Sequence, residues 1–96
     1  MIELGGNITL VGFSDLDDGS LIILKKMVGN SVRKIQDNSQ NFEGFTLTCK
    51  NVHSDNKFEL HAKLIDNGKV ITSQVTDFNL FYTLDKVLKA IHAQQS

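Results

Sequence analysis

Residues 57–93 read KFELHAKLIDNGKVITSQVTDFNLFYTLDKVLKAIHA, a pattern that predicts a β-hairpin continuing directly into one amphipathic helix. Apolar and polar residues alternate over Lys57–Leu64, as in a strand with one buried face, and a second strand is expected over Lys69–Val75. Between them, Asp66-Asn67-Gly68 is a strong hairpin signal, because Asn-Gly tolerates the positive φ angles of a type I′ turn.

The helix that follows the hairpin has one continuous apolar face. Thr76 or Asp77 is the expected N-cap, because both side chains can accept hydrogen bonds from the first turn. The apolar positions recur at helical spacing and should face the core; they are Leu80, Phe81, Leu84, Val87, Leu88 and Ile91.

The N-terminal half predicts a strand, a helix and another strand. Asn7–Phe13 alternates around β-branched residues and is expected to form the first strand. Ser14 is a candidate cap for a helix over Leu16–Asp37, since carboxylates follow it in the first turn. Phe45–Lys50 then alternates as the next strand, and His53–Asn56 is expected to turn the chain into the hairpin. The inner helix face would consist of Leu21, Leu24, Val28, Val32 and Ile35.

This order, β-α-β-β-β-α, predicts an α+β fold in which residues 1–96 form a single domain. The strands alternate between an apolar and a polar face, so both helices should cover the same face of a four-stranded mixed sheet. The result is a two-layer sandwich with an exposed polar sheet surface. A strand–helix–strand crossover is normally right-handed, which makes the first two strands parallel neighbours.

Composition narrows the function classes. The 96 residues carry a formal charge of −1, so any nucleic-acid binding must come from a local patch. Nine of the ten basic residues are lysine, which limits bidentate recognition of phosphates. The sequence shows neither a secretory signal nor the ~20 apolar residues of a membrane span. A lone cysteine, Cys49, fits a reducing compartment, and we expect a cytoplasmic protein that uses no membrane.

The outer faces of the two helices carry the candidate contact residues. Projection at 100° per residue places two stripes in solvent: Ile22, Lys26, Gly29 and Arg33 on the first helix, and Phe78, Tyr82, Lys86, Lys89 and Ala93 on the second. Lysines can follow a phosphate backbone, a glycine permits close approach, and a tyrosine can stack on a base. The predicted RNA-binding residues are Lys26, Gly29, Arg33, Tyr82, Lys86 and Lys89. Ordinary solvation of an outer helix face is the alternative explanation for the lysines.

The sequence suggests no catalytic residue, metal site or cofactor. Cys49, His53 and His61 fall close together in the chain and include two residue types that bind zinc. Strand alternation nevertheless points Cys49 into the core and His61 to the opposite face, so they cannot converge. A Cys–His nucleophile pair fails for the same reason.

A segment at the start of the last helix resembles one protein family. Asn79-Leu80-Phe81-Tyr82-Thr83-Leu84-Asp85, followed by two lysines, is similar to the Asp-x-Tyr-x-Ala-Ile-Asp segment of the ribosome hibernation-promoting and ribosome-associated inhibitor proteins. Phe81 stands in place of a buried tyrosine, Leu84 in place of isoleucine, and Asp85 matches. Asn79 departs from the usual acid. The element order and the long first helix also agree with that family.

The resemblance implies a fold like that of a double-stranded-RNA-binding domain with an extra first strand. It also implies a non-enzymatic protein that binds ribosomal RNA or the small ribosomal subunit and blocks the tRNA and message channel, as a hibernation factor does. The residues themselves leave two other classes open. One is a protein-interaction or homo-oligomerising domain that uses Ile22, Phe78 and exposed strand edges. The other is an enzyme acting on a small ligand.

Overall fold

The computed structural model describes residues 1–52 and 57–95, in which two helices lie against one face of a five-stranded sheet. The turn predicted at His53–Asn56 lies outside the described residues. The elements, in chain order, are β1 (Ile2–Gly5), β2 (Ile8–Val11), α1 (Asp18–Asp37), β3 (Phe42–Val52), β4 (Lys57–Asp66), β5 (Lys69–Asp77) and α2 (Leu80–Gln94).

The strands lie in the sheet in the same order as in the chain. β2 and β3 are parallel and are connected through α1, whereas every other neighbouring pair is antiparallel. The predicted mixed sheet and parallel crossover are therefore confirmed. The Asn67-Gly68 hairpin is confirmed as well, since both residues have positive φ angles, 51° and 79°.

The prediction of four strands was wrong, because β1 pairs with β2 as an additional N-terminal hairpin. Gly6 and Asn7 form its turn after Gly5, the last residue of β1, and the φ angles of Gly5, Gly6 and Asn7 are 82°, 57° and 64°. Asn7 therefore precedes the strand that was expected to begin there. β2 ends at Val11 because Gly12 has a φ of 85°, outside the range of extended backbone.

Gly12 also lies directly against the neighbouring strand. A Cβ at this position would overlap the main-chain carbonyl oxygen of Cys49 in β3. The positive φ and the close approach both require glycine, which fixes the point where β2 leaves the sheet.

Both helices begin later than predicted, and the N-cap of each is not the residue that was predicted. Ser14 does not cap α1; the Asp17 carboxylate accepts a hydrogen bond from the Ser20 N–H at 3.0 Å. Hydrogen bonding from the Ser20 side chain, together with that from its N–H, lowers the pKa of Asp17. Neither Thr76 nor Asp77 caps α2, because β5 continues through both of them. Instead Asn79 Oδ1 accepts the Tyr82 N–H at 3.0 Å.

The core lies between the helices and the helix-facing side of the sheet. Leu24, Val28, Leu60 and Leu84 are fully buried in it, as the alternation and helical spacing predict. Phe58 and Phe81 were expected to be core residues, but they are only partly buried and pack against its margin. Other side chains of the same cluster are Leu10, Val32, Ile35, Phe45, Leu47, Leu64, Val87, Leu88 and Ile91.

Candidate nucleic-acid interface

The predicted RNA-binding residues lie on the solvent side of α1 and α2, which pack beside each other. Lys26 and Arg33 on α1 are exposed, as are Tyr82, Lys86 and Lys89 on α2. The sixth residue, Gly29, is half-buried in α1, with open space where a Cβ would stand. Core packing therefore does not require glycine at that position.

On this surface Tyr82 and Lys86, which are one helical turn apart, form an aromatic–lysine pair. The Lys86 Nζ atom lies 4.5 Å from the centroid of the Tyr82 ring, and the tyrosine is 49% exposed. Hydrogen bonding to the Tyr82 side chain raises the pKa of Lys86, and the charge of Asp77 contributes in the same direction. The Lys86 ammonium group therefore lies over an exposed aromatic ring, in the geometry of a cation–π contact.

A second aromatic–lysine pair lies at the connection that leads into α2, four residues before Tyr82 in the chain, and the sequence did not predict it. The Lys57 Nζ atom is 5.1 Å from the centroid of the Phe78 ring, which is 63% exposed. Phe78 was expected on the outer stripe of the helix, but it lies in the connection between β5 and α2. Lys57 reaches it because Phe58 pairs with Asp77 across the sheet. We call Lys57, Phe78, Tyr82 and Lys86 the aromatic–lysine row.

Lys89 contributes less positive potential than its exposure suggests. Its Nζ atom lies 2.9 Å from Asp85 Oδ2 in an ion pair spaced i, i+4 on the helix. Lys89 and Asp85 also border a groove of about 530 Å³ between the helices, where Lys34 and Asp37 bring a further charge of each sign. This groove therefore carries charges of both signs. Among the described residues neither Lys57 nor Lys86 is in an ion pair, although the charge of Asp77 acts on Lys86, so the row is the better phosphate contact of the two.

Cys49 and His61 lie on opposite sides of the sheet, as predicted. Cys49 packs against the core margin, and burial raises the pKa of its thiol. On the open face, His61 Nε2 lies 3.3 Å from Glu59 Oε2. Within residues 1–52 and 57–95, no three His, Cys, Asp or Glu side chains are grouped as metal ligands would be. His53 lies outside those ranges.

None of the described helices is long and apolar enough to cross a membrane.

Comparison with known proteins finds similarity in structure only. No protein-family model matches the sequence, and no curated protein matches it significantly. The structure is similar to the N-terminal domain of Thermus thermophilus Protein Y, with a TM-score of 0.65 and 12% identity over 92% of this chain and 91% of that chain. A ribosomal subunit interface protein from Coxiella burnetii gives a TM-score of 0.66 and 13% identity, with coverage of 92% and 91%.

These two structures support the resemblance suggested by the start of the last helix, at the level of fold. Nine-tenths of each chain is included, so the likeness extends to both helices and the sheet and is not confined to one motif. The chain is therefore similar in fold, over 92% of its length, to a Protein Y N-terminal domain and to a ribosomal subunit interface protein.

Proposed function

We propose that this chain is a non-enzymatic, cytoplasmic ribosome-binding domain that contacts RNA of the small subunit and silences translation there. The observation that carries the proposal is the aromatic–lysine row on a fold shared with a ribosomal subunit interface protein. The proposed contact surface combines this row with Lys26, Gly29, Arg33 and Lys89. No cofactor takes part, because binding alone is sufficient to occlude a channel.

Lysines and aromatic rings contribute to RNA binding in different ways. Lysine ammonium groups neutralise phosphates and release counterions, which gives affinity without reading sequence. An aromatic ring stacks on an unpaired base or on a ribose. Phe78 and Tyr82 are 63% and 49% exposed, so neither gains much stability from its ring in the free protein. A nucleotide would bury those rings while the adjacent lysines meet its phosphates.

Sedimentation of cell lysate through a sucrose gradient tests the proposal directly. The protein should travel with the small ribosomal subunit at low salt and dissociate as the salt concentration rises. If it remains at the top of the gradient at every salt concentration, ribosome binding is excluded.

Removing single cations should change the salt dependence of binding to a small-subunit RNA fragment. Lys26→Ala and Lys86→Ala should each lower the slope of log affinity against log salt by about one. Fluorescence anisotropy at several salt concentrations measures this slope. Lys63→Ala is the matched control, since Lys63 is exposed on the sheet face opposite the helices and should leave the slope unchanged. Binding that responds neither to salt nor to the two helix variants would contradict the RNA contact.

Tyr82→Ala separates a contact role from a structural role. It should leave the free energy of unfolding within about 0.5 kcal/mol, as surface changes usually do. RNA binding should weaken by ~1–3 kcal/mol if a base stacks on the ring. Tyr82→Phe keeps the ring and should retain most of the affinity. A lowered melting temperature with unchanged affinity would mean that Tyr82 only covers the edge of the sandwich.

A second candidate function is protein interaction, which the apolar exposure on α1 favours. Ile22 and Ile23 are 56% and 50% exposed side by side near the start of the helix. Adjacent apolar side chains in solvent can mark a contact surface. Loss of a protein partner on Ile22→Ser, with RNA affinity intact, would support this function instead of the first.

A further inference from the structure

The outer edge of β5 pairs with no other strand in the part of the chain that the structure describes. β5 is nine residues long and pairs with β4 without a bulge, while its other side borders no strand of the sheet. Residues 70–76 carry no charge, contain no proline, and five of the seven are β-branched. Exposed edges are usually protected by a charge, a proline or a bulge, because their free main-chain groups can pair with another strand. At the opposite edge, β1 is short and its register is irregular.

One side-chain contact identifies the residues of β5 whose main-chain N–H and C=O groups point away from β4. Gln94 Nε2 donates to the Thr72 carbonyl at 2.8 Å, which identifies Thr72 as a residue whose main-chain groups turn away from β4. In an antiparallel ladder the direction alternates along the strand. Val70, Gln74 and Thr76 therefore turn outward together with Thr72.

The sequence of β5 is complementary to itself in the antiparallel direction. A twofold axis at Ser73 places Lys69 of each copy opposite Asp77 of the other, so the only two charges of the strand meet as opposite pairs. In this register, each residue whose main-chain groups point away from β4 lies opposite a residue of the same kind in the second copy, as hydrogen bonding between the strands requires. The remaining pairs are Val70 with Thr76, Ile71 with Val75, and Thr72 with Gln74.

We propose that β5 is a self-association edge, to which a second copy of this chain adds its own β5 in the antiparallel direction. The two sheets then form one sheet of ten strands, five from each copy. About eight main-chain hydrogen bonds join them in this register. On association, the Gln94 side chain releases the Thr72 carbonyl. One turn earlier on α2, the half-buried Ala90 presents only a small side chain beside the edge. The inference stands independently of RNA binding.

Analytical ultracentrifugation of the full chain tests the association. The average mass should rise toward that of a dimer as the concentration approaches about 1 mM, the weak end of specific binding. Thr72→Pro removes an outward N–H that forms no bond to β4, so it should weaken the dimer roughly tenfold or more. Thr72→Ala retains that N–H and should dimerise as the unchanged chain does. A chain that stays monomeric to 1 mM, or a Thr72→Pro variant that folds and dimerises normally, overturns the proposal.

Cross-linking tests the register even if the proline variant does not fold. With Cys49 replaced by alanine, Ser73→Cys places two thiols opposite each other at the twofold axis, in a non-hydrogen-bonded pair. Their Cα atoms would lie about 4.5 Å apart, within the range of a disulfide. Gln74→Cys is the matched control, because residue 74 faces residue 72 of the second copy. Mild oxidation should link the first variant and not the second. Equal or reversed cross-linking overturns the register.

Discussion

Gly12→Ala should be one of the most damaging single substitutions in this chain, lowering the free energy of unfolding by about 2–5 kcal/mol. The residue has a φ of 85°, which costs an L-amino acid with a side chain roughly 1–2 kcal/mol. The added Cβ must also displace the Cys49 carbonyl, which belongs to the backbone of β3 and cannot rotate away as a side chain could. Urea unfolding of the purified variant measures the loss.

Gly5→Ala is the matched control for the close approach. Gly5 has nearly the same φ, 82°, but nothing lies within 4 Å of its missing Cβ. It should therefore show only the conformational cost, roughly 1–2 kcal/mol. If the two variants lose the same stability, the contact between Gly12 and β3 is not as the structure shows.

Leu84→Ala should cost ~2–5 kcal/mol, the usual range for truncating a fully buried leucine. Leu84 is 0% exposed in the middle of the apolar face of α2, where the rigid sheet on one side limits collapse around the cavity. Leu21→Ala, at a partly buried position of α1, provides the comparison and should cost less. A loss below ~1 kcal/mol for Leu84→Ala in urea unfolding would mean that α2 is not packed against the sheet.

Periodicity in the sequence was sufficient to predict the elements that have a long apolar face. Leu24 and Val28 on α1, and Leu84 and Ile91 on α2, repeat at helical spacing, so their burial could be predicted without tertiary information. β1 could not be recognised in the same way, because it has four residues and only two of them, Ile2 and Leu4, face the core. The local signal for this hairpin is the Gly6-Asn7 pair after Gly5, since glycine and asparagine favour tight turns.

The N-cap residues of the helices were harder to predict, because several neighbouring residues have side chains that can cap a helix. Asp77 and Asn79 both have the required side chain, and the choice depended on how far β5 extends along β4. At α1, the Leu16 N–H donates to the Phe13 carbonyl, so a turn occupies the place where helix was expected. Strand pairing thus decided where α2 begins and a local turn decided where α1 begins, and helix propensity reports neither.

On the candidate surface, too, some contacts could be predicted from the sequence and others could not. Tyr82 and Lys86 share a helix face, and their proximity follows from spacing alone. Lys57 and Phe78 lie at the open end of the β4–β5 hairpin, and they meet only because the two strands keep one register along their whole length, which short-range spacing does not report. The ion pair between Asp85 and Lys89 could have been expected from their i, i+4 separation.

The parallel pairing of β2 with β3 also constrains the order in which the chain folds. β3, β4, β5 and α2 each contact their neighbour in the chain, whereas β2 must reach β3 across the whole of α1. Closing that long connection costs entropy before any of its contacts form, so nucleation should favour the C-terminal meander. The N-terminal hairpin would then add last and open first. Native-state hydrogen exchange should accordingly show faster exchange for the amides of β2 than for those of β4, and the reverse order would argue against this sequence of events.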